Sequence, residues 1–450
     1  MDFDPVLLPL YEVQPTKRFT VVCLSRTAVA AVEEVVEPRP VFVDLNCAYT
    51  RRIVESAVQR RPWCRLLREL DTEGKHSPPL LQFCDFENIS WEFVLSGRHG
   101  AASYLVRKGL SRKAQLSLQI RRHLSKNPTS LLKTSVPHTI ILETWNAFDE
   151  MKLDFGGGTF ASFDLGPSSS SGTMPLRQRL EWCLEDVRSE VCDAPERADW
   201  LWILKPSVTN KGVNISVCSD WDGIMDCVES APEVREWVLQ KYVHNPLLLD
   251  GRKFHLRVYV LCVGSLKVHV FDRILLLLAA HRYSTSDLDD IYKHLTNTAV
   301  ASETEYFDEE QAVKLLDDLP HFVSGTGEQD VRNIRTQIHQ ITAELFRAFE
   351  NEYTVFAPMP QCFELFGLDF LVDEHLQVHL LEANPGPDFK QTGLRLRRVI
   401  VELWEQTCAL VLDTAVLGEA SVRSPDFSKV YDKEWSTAKL RGGGLGFVEE

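Results

Sequence analysis

Two neighbouring apolar segments near the C-terminus, with acidic side chains at matching places, constrain this chain more than any other stretch. Residues 363–372 are β-prone except for Glu364 and Asp369, and after a short polar turn residues 376–383 are again apolar up to Glu382. This spacing predicts a tight antiparallel hairpin. Asp369 and Glu382 lie on either side of the turn, so we expect their side chains to be opposite or diagonal on one face.

The predicted hairpin brings three oxygen-bearing side chains together. Asn384 follows Glu382 by two residues, and a strand points both side chains the same way. With Asp369 they form a donor set for a hard cation such as Mg²⁺ bridging nucleotide phosphates. The alternative is a hairpin with solvated polar residues, but a charge inside an apolar run is costly unless it is paired. We therefore predict that Asp369, Glu382 and Asn384 are metal ligands.

The composition is that of a folded protein with two or three subdomains. The 450 residues are 44% hydrophobic and 25% charged, and the formal net charge is −15. This charge argues against nonspecific nucleic-acid binding. No apolar run reaches the roughly 20 residues that span a bilayer. The 11 cysteines include no CxxC pair, which indicates free thiols in a reducing, cytoplasmic compartment.

Hydrophobic periodicity predicts further elements along the chain. We expect strands at residues 19–25, 40–45, 91–95, 137–142 and 274–280, helices at residues 50–70, 176–191, 309–319, 331–353 and 396–411, and a Gly/Ser-rich loop at residues 156–172. A basic helix within residues 107–126 has Ser111 as its expected N-cap. Cations in its first turn, Arg112 and Lys113, oppose the helix dipole and indicate a bound anion. For Arg121 and Arg122, later in the helix, a solvated basic face is as good an interpretation as anion binding.

A strand, loop and strand arrangement carries lysines at both ends of its loop. A buried strand ends at Lys205, and a polar turn with Lys211 and Gly212 leads into a returning strand. Such a loop can close over phosphates, because lysines supply point charges and glycine permits close backbone approach. A hairpin with surface lysines has the same pattern, so both interpretations stay open.

A row of cationic or titratable side chains is predicted on the strand that follows Gly251. Lys253, His255 and Arg257 alternate with apolar residues, so they share one face. Like charges side by side are unfavourable unless an anion lies between them. This favours a row that faces phosphate over one that faces solvent.

Four sequence blocks, in this order, resemble the tubulin–tyrosine ligase family of ATP-grasp ligases: KPSVTNKGVNI, LQKYVHNPLLLDGRKFHLRVYV, KHLTN and FELFGLDFLVDEHLQVHLLEANPGP. The tail NPGPDFKQTG is similar to fungal members, some of which are associated with mRNA processing bodies. The resemblance implies an α/β (α+β) ATP-grasp fold. Its expected parts are an N-terminal α/β subdomain (1–135), a central subdomain with the phosphate loop (136–236), a C-terminal antiparallel-sheet subdomain with the metal site (237–412) and a polar tail (413–450).

The resemblance also implies roles for individual residues. The catalytic residues would be Lys113, Lys253 and Arg257. The nucleotide-binding residues would be Lys205, Lys211, Gly212, Gln240, Lys241, Tyr242, Val243, His255, His294, Thr296 and Asn297, with residues 240–243 forming the hinge around adenine. Asp369, Glu382 and Asn384 match the magnesium ligands of the family, in agreement with the spacing argument.

The implied reaction is carboxylate–amine ligation through an acyl phosphate, with ATP and Mg²⁺ as cofactors and with a protein or peptide acceptor and a free amino acid as partners. Three positions depart from the family pattern: His255 replaces an aspartate, Leu277 an arginine and Asn214 a glycine. Leucine cannot make the bidentate contacts of a guanidinium, which argues against tubulin as the acceptor. The alternative function is an ATP-binding scaffold with weak or no turnover, linked to mRNA processing bodies.

Overall fold

The computed structural model describes residues 38–70, 80–148, 175–208, 212–304, 308–387, 389 and 394–434. The predicted strand at residues 19–25, the Gly/Ser-rich loop at residues 156–172 and Lys211 lie outside the described residues. The described chain mixes helices with three sheets, which follow one another along the sequence. None of its helices is long and apolar enough to cross a membrane.

A small parallel sheet opens the described chain. Its strands are β1 (Arg39–Asp44), β2 (Cys64–Leu67), β3 (Leu80–Cys84) and β4 (His99–Ala101), in the order β2-β1-β3-β4, and its helices are α1 (Ala48–Gln59) and α2 (Trp91–Leu95). Every residue of β3 is buried, as expected for a parallel strand covered on both faces. The strand predicted at residues 40–45 is confirmed. The strand predicted at residues 91–95 is wrong, because a short apolar run does not distinguish a strand from a helix, and these residues form α2. The helix predicted at residues 50–70 ends at Gln59.

Three helices lead to the second sheet: α3 (Lys108–Ser111), α4 (Lys113–Lys126) and α5 (Leu132–Ser135). The predicted basic helix is therefore broken, and Arg112 rather than Ser111 occupies the N-cap position of α4. Ser207, far away in sequence, accepts hydrogen bonds from the first backbone N–H groups of the helix instead. Its carbonyl accepts from the Lys113 N–H (3.1 Å), and its Oγ accepts from the Ala114 N–H (3.2 Å). These bonds fix Lys113 to the second sheet.

The second sheet is antiparallel, in the order β5-β8-β6-β7. Its strands are β5 (Thr139–Glu143), β6 (Trp202–Pro206), β7 (Ser216–Cys218) and β8 (Glu236–Lys241), and its helices are α6 (Trp145–Phe148), α7 (Leu176–Cys183), α8 (Glu185–Cys192) and α9 (Trp221–Ser230). The helix predicted at residues 176–191 is thus divided at Leu184. Every residue of β6 is buried, which places Lys205 in a closed environment.

The third sheet is built around one long strand. Its strands are β9 (Leu248–Leu249), β10 (Arg252–Val263), β11 (Lys267–Phe271), β12 (Leu275–Leu278), β13 (Val313–Leu315), β14 (Phe363–Val372), β15 (Val378–Pro385) and β16 (Phe427–Asp432). Along one edge β10 pairs with β14, and along the other it pairs with β12 and then with β11, always antiparallel. β15 extends the sheet beyond β14, β13 beyond β12 and β16 beyond β11.

The helices of this part are α10 (Ile291–His294), α11 (Thr298–Ala301), α12 (Glu309–Ala312), α13 (Leu319–Phe322), α14 (Glu328–Ala348), α15 (Leu394–Cys408) and α16 (Thr414–Leu417). The helices predicted at residues 331–353 and 396–411 are confirmed as α14 and α15. The helix predicted at residues 309–319 is wrong after Ala312, because the chain there joins the sheet as β13. The segment predicted as a polar tail contributes the edge strand β16. The other subdomain boundaries remain predictions.

The two faces of the third sheet separate the acidic residues of β14. One face packs against α14, and the other packs against α15 and α1. Glu364 points to the first face, where it accepts from the Tyr104 N–H (3.0 Å) and Ser103 Oγ (3.1 Å) and pairs with Arg107. Asp369, five residues later, points to the second face because strand side chains alternate. Glu364 therefore joins β14 to residues 103–107, and Asp369 is left for the site.

Candidate functional site

The predicted hairpin is confirmed as β14 and β15. Asp369 pairs directly with Glu382 in the ladder, and a bulge beside this pair leaves Leu381 without a partner in register. The carboxamide of Asn384 joins the two carboxylates. Its Nδ2 donates to Asp369 Oδ2 (3.2 Å) and to Glu382 Oε1 (3.0 Å). The predicted convergence of the three side chains is therefore present.

The row of cations on β10 is balanced by Asp369. Arg257 is its cross-strand partner and donates from Nε to Oδ1 (2.5 Å) and from Nη2 to Oδ2 (3.0 Å). This is the strong bidentate geometry of a guanidinium and a carboxylate. Burial by itself lowers the pKa of Arg257, but Asp369 outweighs burial and raises that pKa above its usual value. The carboxylate supplies the anion that the row of cations requires.

Two lysines from outside the third sheet approach Glu382. Lys113 Nζ lies 3.3 Å from Glu382 Oε2, and the buried Lys205 Nζ donates to Gln240 Oε1 (2.9 Å). Burial by itself raises the pKa of Glu382, but Lys113, Lys205 and Asn384 outweigh it and hold that pKa well below its usual value. Burial lowers the pKa of Lys205 to about 8, although Glu382 opposes this shift. An ionised carboxylate thus lies between cations from two other parts of the chain.

A buried hydrogen-bond chain joins β10 to the end of β8. His294 Nε2 donates to the Asp287 carbonyl (2.9 Å), so its Nδ1 accepts from the Tyr242 hydroxyl (2.9 Å). Lys253 Nζ donates to the same hydroxyl oxygen (3.0 Å). Burial lowers the pKa of Lys253 to about 7, and nearby Lys205 shifts it in the same direction. Lys253 therefore changes its protonation near neutral pH.

Two of the departures from the family pattern, His255 and Leu277, are direct cross-strand partners. His255 Nδ1 lies 2.5 Å from Thr296 Oγ1, and its Nε2 lies 3.7 Å from Asp369 Oδ1. Burial lowers the pKa of His255 to about 4 although Asp369 opposes this, so the ring is neutral at pH 7. Leu277 is buried in an apolar cluster that includes Tyr259. The sheet is therefore apolar where the resemblance implies an arginine.

The glycine-bearing turn between β6 and β7 contacts the segment around Asn297. Gly212 has φ +80°, and a Cβ on it would lie 3.0 Å from Val300 Cγ2 and 3.7 Å from Asn297 Oδ1. The third departure, Asn214, has φ 56°. Asparagine tolerates this left-handed region better than most residues, so the chain keeps the turn without a glycine there.

We expect Gly212→Ala to weaken Mg-ATP binding by about 5- to 30-fold, because a side chain at this positive φ costs about 1–2 kcal/mol and would also press on Val300. Isothermal titration calorimetry measures the affinity. Gly325→Ala is the matched control, since Gly325 has φ +87° and open space around it. Equal affinities of the wild type and Gly212→Ala would show that this turn does not contact the nucleotide.

Residues 240–243, predicted to surround adenine, comprise the last two residues of β8 and the two that follow it. Gln240 Nε2 donates to Thr139 Oγ1 (3.1 Å), and the ammonium of Lys241 lies 4.1 Å from the ring centroid of Trp200. Sequence reasoning missed Thr139 and Trp200. The signal that identifies Thr139 is the register between β5 and β8, which places Thr139 directly opposite Gln240.

The donor set at the hairpin fits a magnesium ion that also binds other oxygens. Within the described ranges, no three histidine, cysteine or carboxylate side chains are grouped as a metal site. Asp369, Glu382 and Asn384 supply two carboxylates and one carboxamide, and Mg²⁺ commonly takes one or two carboxylates together with phosphate oxygens and water. Arg257 and Lys113 already place positive charge against these carboxylates. The residues therefore fit a cation bound jointly with a nucleotide.

Comparisons with known proteins agree with this geometry. Residues 162–422 match the tubulin–tyrosine ligase family. A probable tubulin–tyrosine ligase of Schizosaccharomyces pombe is 31% identical over 410 residues, covering 84% of this chain and 91% of the relative. The probable tubulin–tyrosine ligase PBY1 of Saccharomyces cerevisiae is 31% identical over 417 residues, covering 81% of this chain. The match spans 51% of the length of the Saccharomyces cerevisiae protein.

A solved structure shows the same fold. The C-terminal domain of K. lactis Pby1 superimposes with a TM-score of 0.63 and 27% sequence identity, covering 88% of this chain and 99% of that domain. That protein is described as an ATP-grasp enzyme that interacts with the mRNA decapping enzyme Dcp2. The predicted α+β ATP-grasp fold and the resemblance to fungal proteins are both confirmed.

Proposed function

The chain belongs to the tubulin–tyrosine ligase family, and we propose that it is an ATP- and Mg²⁺-dependent ligase that adds an amino acid to a protein or peptide carboxylate. The observation that supports this most is the convergence of charged groups from three parts of the chain. Lys113 from α4 and Lys205 from β6 approach Glu382, while Arg257 on β10 holds Asp369. Fixed charges of this kind bind and orient a transferring phosphoryl group.

In this proposal each residue has a place in the cleft. Phosphate-binding groups are Lys205, Lys211 and Gly212, and the hinge at residues 240–243 surrounds adenine. The groups lining the same cleft are His255, His294, Thr296 and Asn297. Asp369, Glu382 and Asn384 would hold Mg²⁺, and the metal would supply positive charge at the phosphates. Lys253 is directed to the ribose or the reacting end, and Lys113 and Arg257 bind the γ-phosphate and the acceptor carboxylate.

The proposed reaction has two steps. An oxygen of the acceptor carboxylate attacks the γ-phosphorus of ATP and ADP leaves, which gives an acyl phosphate. The amine of an amino acid then attacks the carbonyl carbon, loses a proton, and phosphate leaves with the electrons of the broken C–O bond. The protein contributes mainly by holding the groups in line and by placing cations where negative charge develops.

Acceptor-dependent ADP release tests this function. The full chain is incubated with Mg-ATP, single amino acids and candidate acceptors that include tubulin tails, and ADP is measured against reactions that lack one component. We expect continued ADP release, with a mass increase on the acceptor, only when both an acceptor and an amino acid are present, because the reaction with an acceptor alone stops at the acyl phosphate. Tight ATP binding without ADP under any combination would contradict the ligase.

The two buried lysines predict a pH dependence of nucleotide binding. Lys205 and Lys253 have pKa values lowered to about 8 and about 7, so both are partly neutral at mildly alkaline pH. A bound triphosphate favours their charged forms, so binding takes up protons. Affinity should therefore fall as pH rises from 7 to 9, and calorimetry in buffers of different ionisation enthalpy should show proton uptake. Proton release at pH 8 would contradict this arrangement.

A second function is favoured by one observation, the apolar pairing of Leu277 beside a neutral His255. We propose as the alternative an ATP-binding scaffold with weak or no turnover. A fungal neighbour interacts with the decapping enzyme Dcp2, so a decapping protein in cytoplasmic mRNA processing bodies is the partner to test. The scaffold predicts ATP binding, capture of that partner and no acceptor-dependent ADP.

A further inference from the structure

Two cysteines of the second sheet face each other across the junction of β7 and α9. The Sγ atoms of Cys218 and Cys227 lie 4.0 Å apart. Cys218 ends β7 and is buried, whereas Cys227 on α9 is partly exposed. No disulfide joins the two in this structure. The pair belongs neither to the hairpin nor to the row of cations on β10.

The surrounding structure keeps these two thiols close. A Cβ on Gly223, in the first turn of α9, would be only 3.8 Å from Cys218 Cβ, so the helix lies directly against the strand. Ile224 and Val228 of α9 are buried in the hydrophobic core that the helix shares with the second sheet, which holds the helix against the sheet. A disulfide has an S–S length of about 2 Å. The two sulfurs, 4.0 Å apart, therefore have to approach each other by about 2 Å for the bond to form.

We propose that Cys218 and Cys227 are a redox modification site, at which oxidation by a hydroperoxide forms a reversible disulfide between the two cysteines and alters nucleotide affinity. Cys227 is the attacking group because it is the more exposed thiol, and hydrogen bonds from Cys218 and Ser216 lower its pKa. Its sulfur attacks the peroxide O–O bond, forms a sulfenic acid and releases an alcohol or water. Cys218 then attacks that sulfur, and water leaves. Two thiols and one hydroperoxide thus give one disulfide, one alcohol and one water.

The consequence for the nucleotide follows from the strand pairing. Cys218 is the ladder partner of Trp202 on β6, and β6 continues to Lys205 three residues later. A disulfide would fix β7 to α9 and thereby restrict the strand that presents Lys205. This second part of the inference rests on the proposed nucleotide site, whereas formation of the disulfide does not.

Peptide mapping of the full chain after treatment with hydrogen peroxide tests the site. We expect a Cys218–Cys227 linkage that dithiothreitol reverses, and slower amide exchange in β7 and α9. In Cys218→Ser, dimedone should trap a sulfenic acid on Cys227. Cys192→Ser is the matched control, since Cys192 is exposed and lies on α8 of the same sheet, and it should leave the linkage intact. Oxidation of Cys192 while Cys218 and Cys227 stay reduced would overturn the proposal.

Titration of oxidised and reduced protein with a fluorescent ATP analogue tests the coupling. We expect affinities that differ at least threefold, and no difference in Cys227→Ser treated in the same way. Equal affinities of the two forms would overturn the proposed effect of the disulfide on nucleotide binding, but not the formation of the disulfide itself. Absence of nucleotide binding in both forms would overturn the proposed function, and peptide mapping would still decide on the disulfide.

Discussion

Replacing Glu382 with glutamine should lower the affinity for Mg-ATP by about 100-fold or more, because the outer-shell residues of metal sites alone contribute about 10- to 100-fold. Glutamine keeps the shape of the side chain, but it removes the negative charge that lies against Lys113 and Lys205. The same change makes the cleft more positive. We therefore expect ATP without Mg²⁺ to bind as tightly as in the wild type or more tightly.

The opposite signs of these two effects separate a metal ligand from a residue that only supports the fold. Calorimetric titrations with ATP in the presence of Mg²⁺ or EDTA measure both affinities. Glu344→Gln is the matched control, because Glu344 is also buried but pairs with His123 on α4, outside the proposed site. Wild-type affinity of Glu382→Gln for Mg-ATP would refute the assignment of Glu382 as a ligand.

The hairpin could be predicted from sequence because its evidence is local. Apolar, β-prone runs define both strands, the polar turn fixes their separation, and together these determine which side chains face each other. The pairing of Asp369 with Glu382 follows from those local features. The face occupied by Glu364 follows as well, although its partner Arg107 does not, since that residue is more than 250 positions away.

The errors occur where tertiary contacts decide local structure. Residues 91–95 are apolar enough for a strand, yet they form a helix, and residues 313–315 leave a predicted helix to pair with β12. The N-terminus of α4 shows the same effect, because Ser207 from the second sheet replaces the local cap that Ser111 was predicted to provide. Propensity is a weak guide wherever such distant partners are available.

The site shows the same division between local and distant information. The row on β10 was predicted to lie on one face, and it does, but its counter-charge was predicted to be phosphate. In the structure Asp369 forms a bidentate pair with Arg257 at the end of that row, and the contact of the row with phosphate stays a prediction. The sequence contains both residues, but only the register between β10 and β14 aligns them. A motif therefore identifies the members of such a site, and the sheet determines which members neutralise each other.

Replacing Arg257 with leucine should destabilise the protein by about 3–5 kcal/mol, the usual cost of leaving one member of a buried ion pair without its partner. Asp369 would keep Asn384 as a hydrogen-bond donor but lose the guanidinium that compensates its charge. Chemical unfolding followed by circular dichroism measures the free energy of unfolding. Arg335→Leu is the control, because its partner Asp317 is 57% exposed and such pairs contribute about 1 kcal/mol or less.

A double-mutant cycle shows whether the cost of Arg257→Leu comes from the pair itself. If it does, the variant with leucine at both Arg257 and Asp369 should be more stable than the sum of the single effects implies, because no unpaired charge remains. Nucleotide binding should be lost in all three variants, since both residues belong to the proposed site. Additive losses would mean that Arg257 and Asp369 stabilise the fold independently, and the buried pair would then not be the element that organises this end of the sheet.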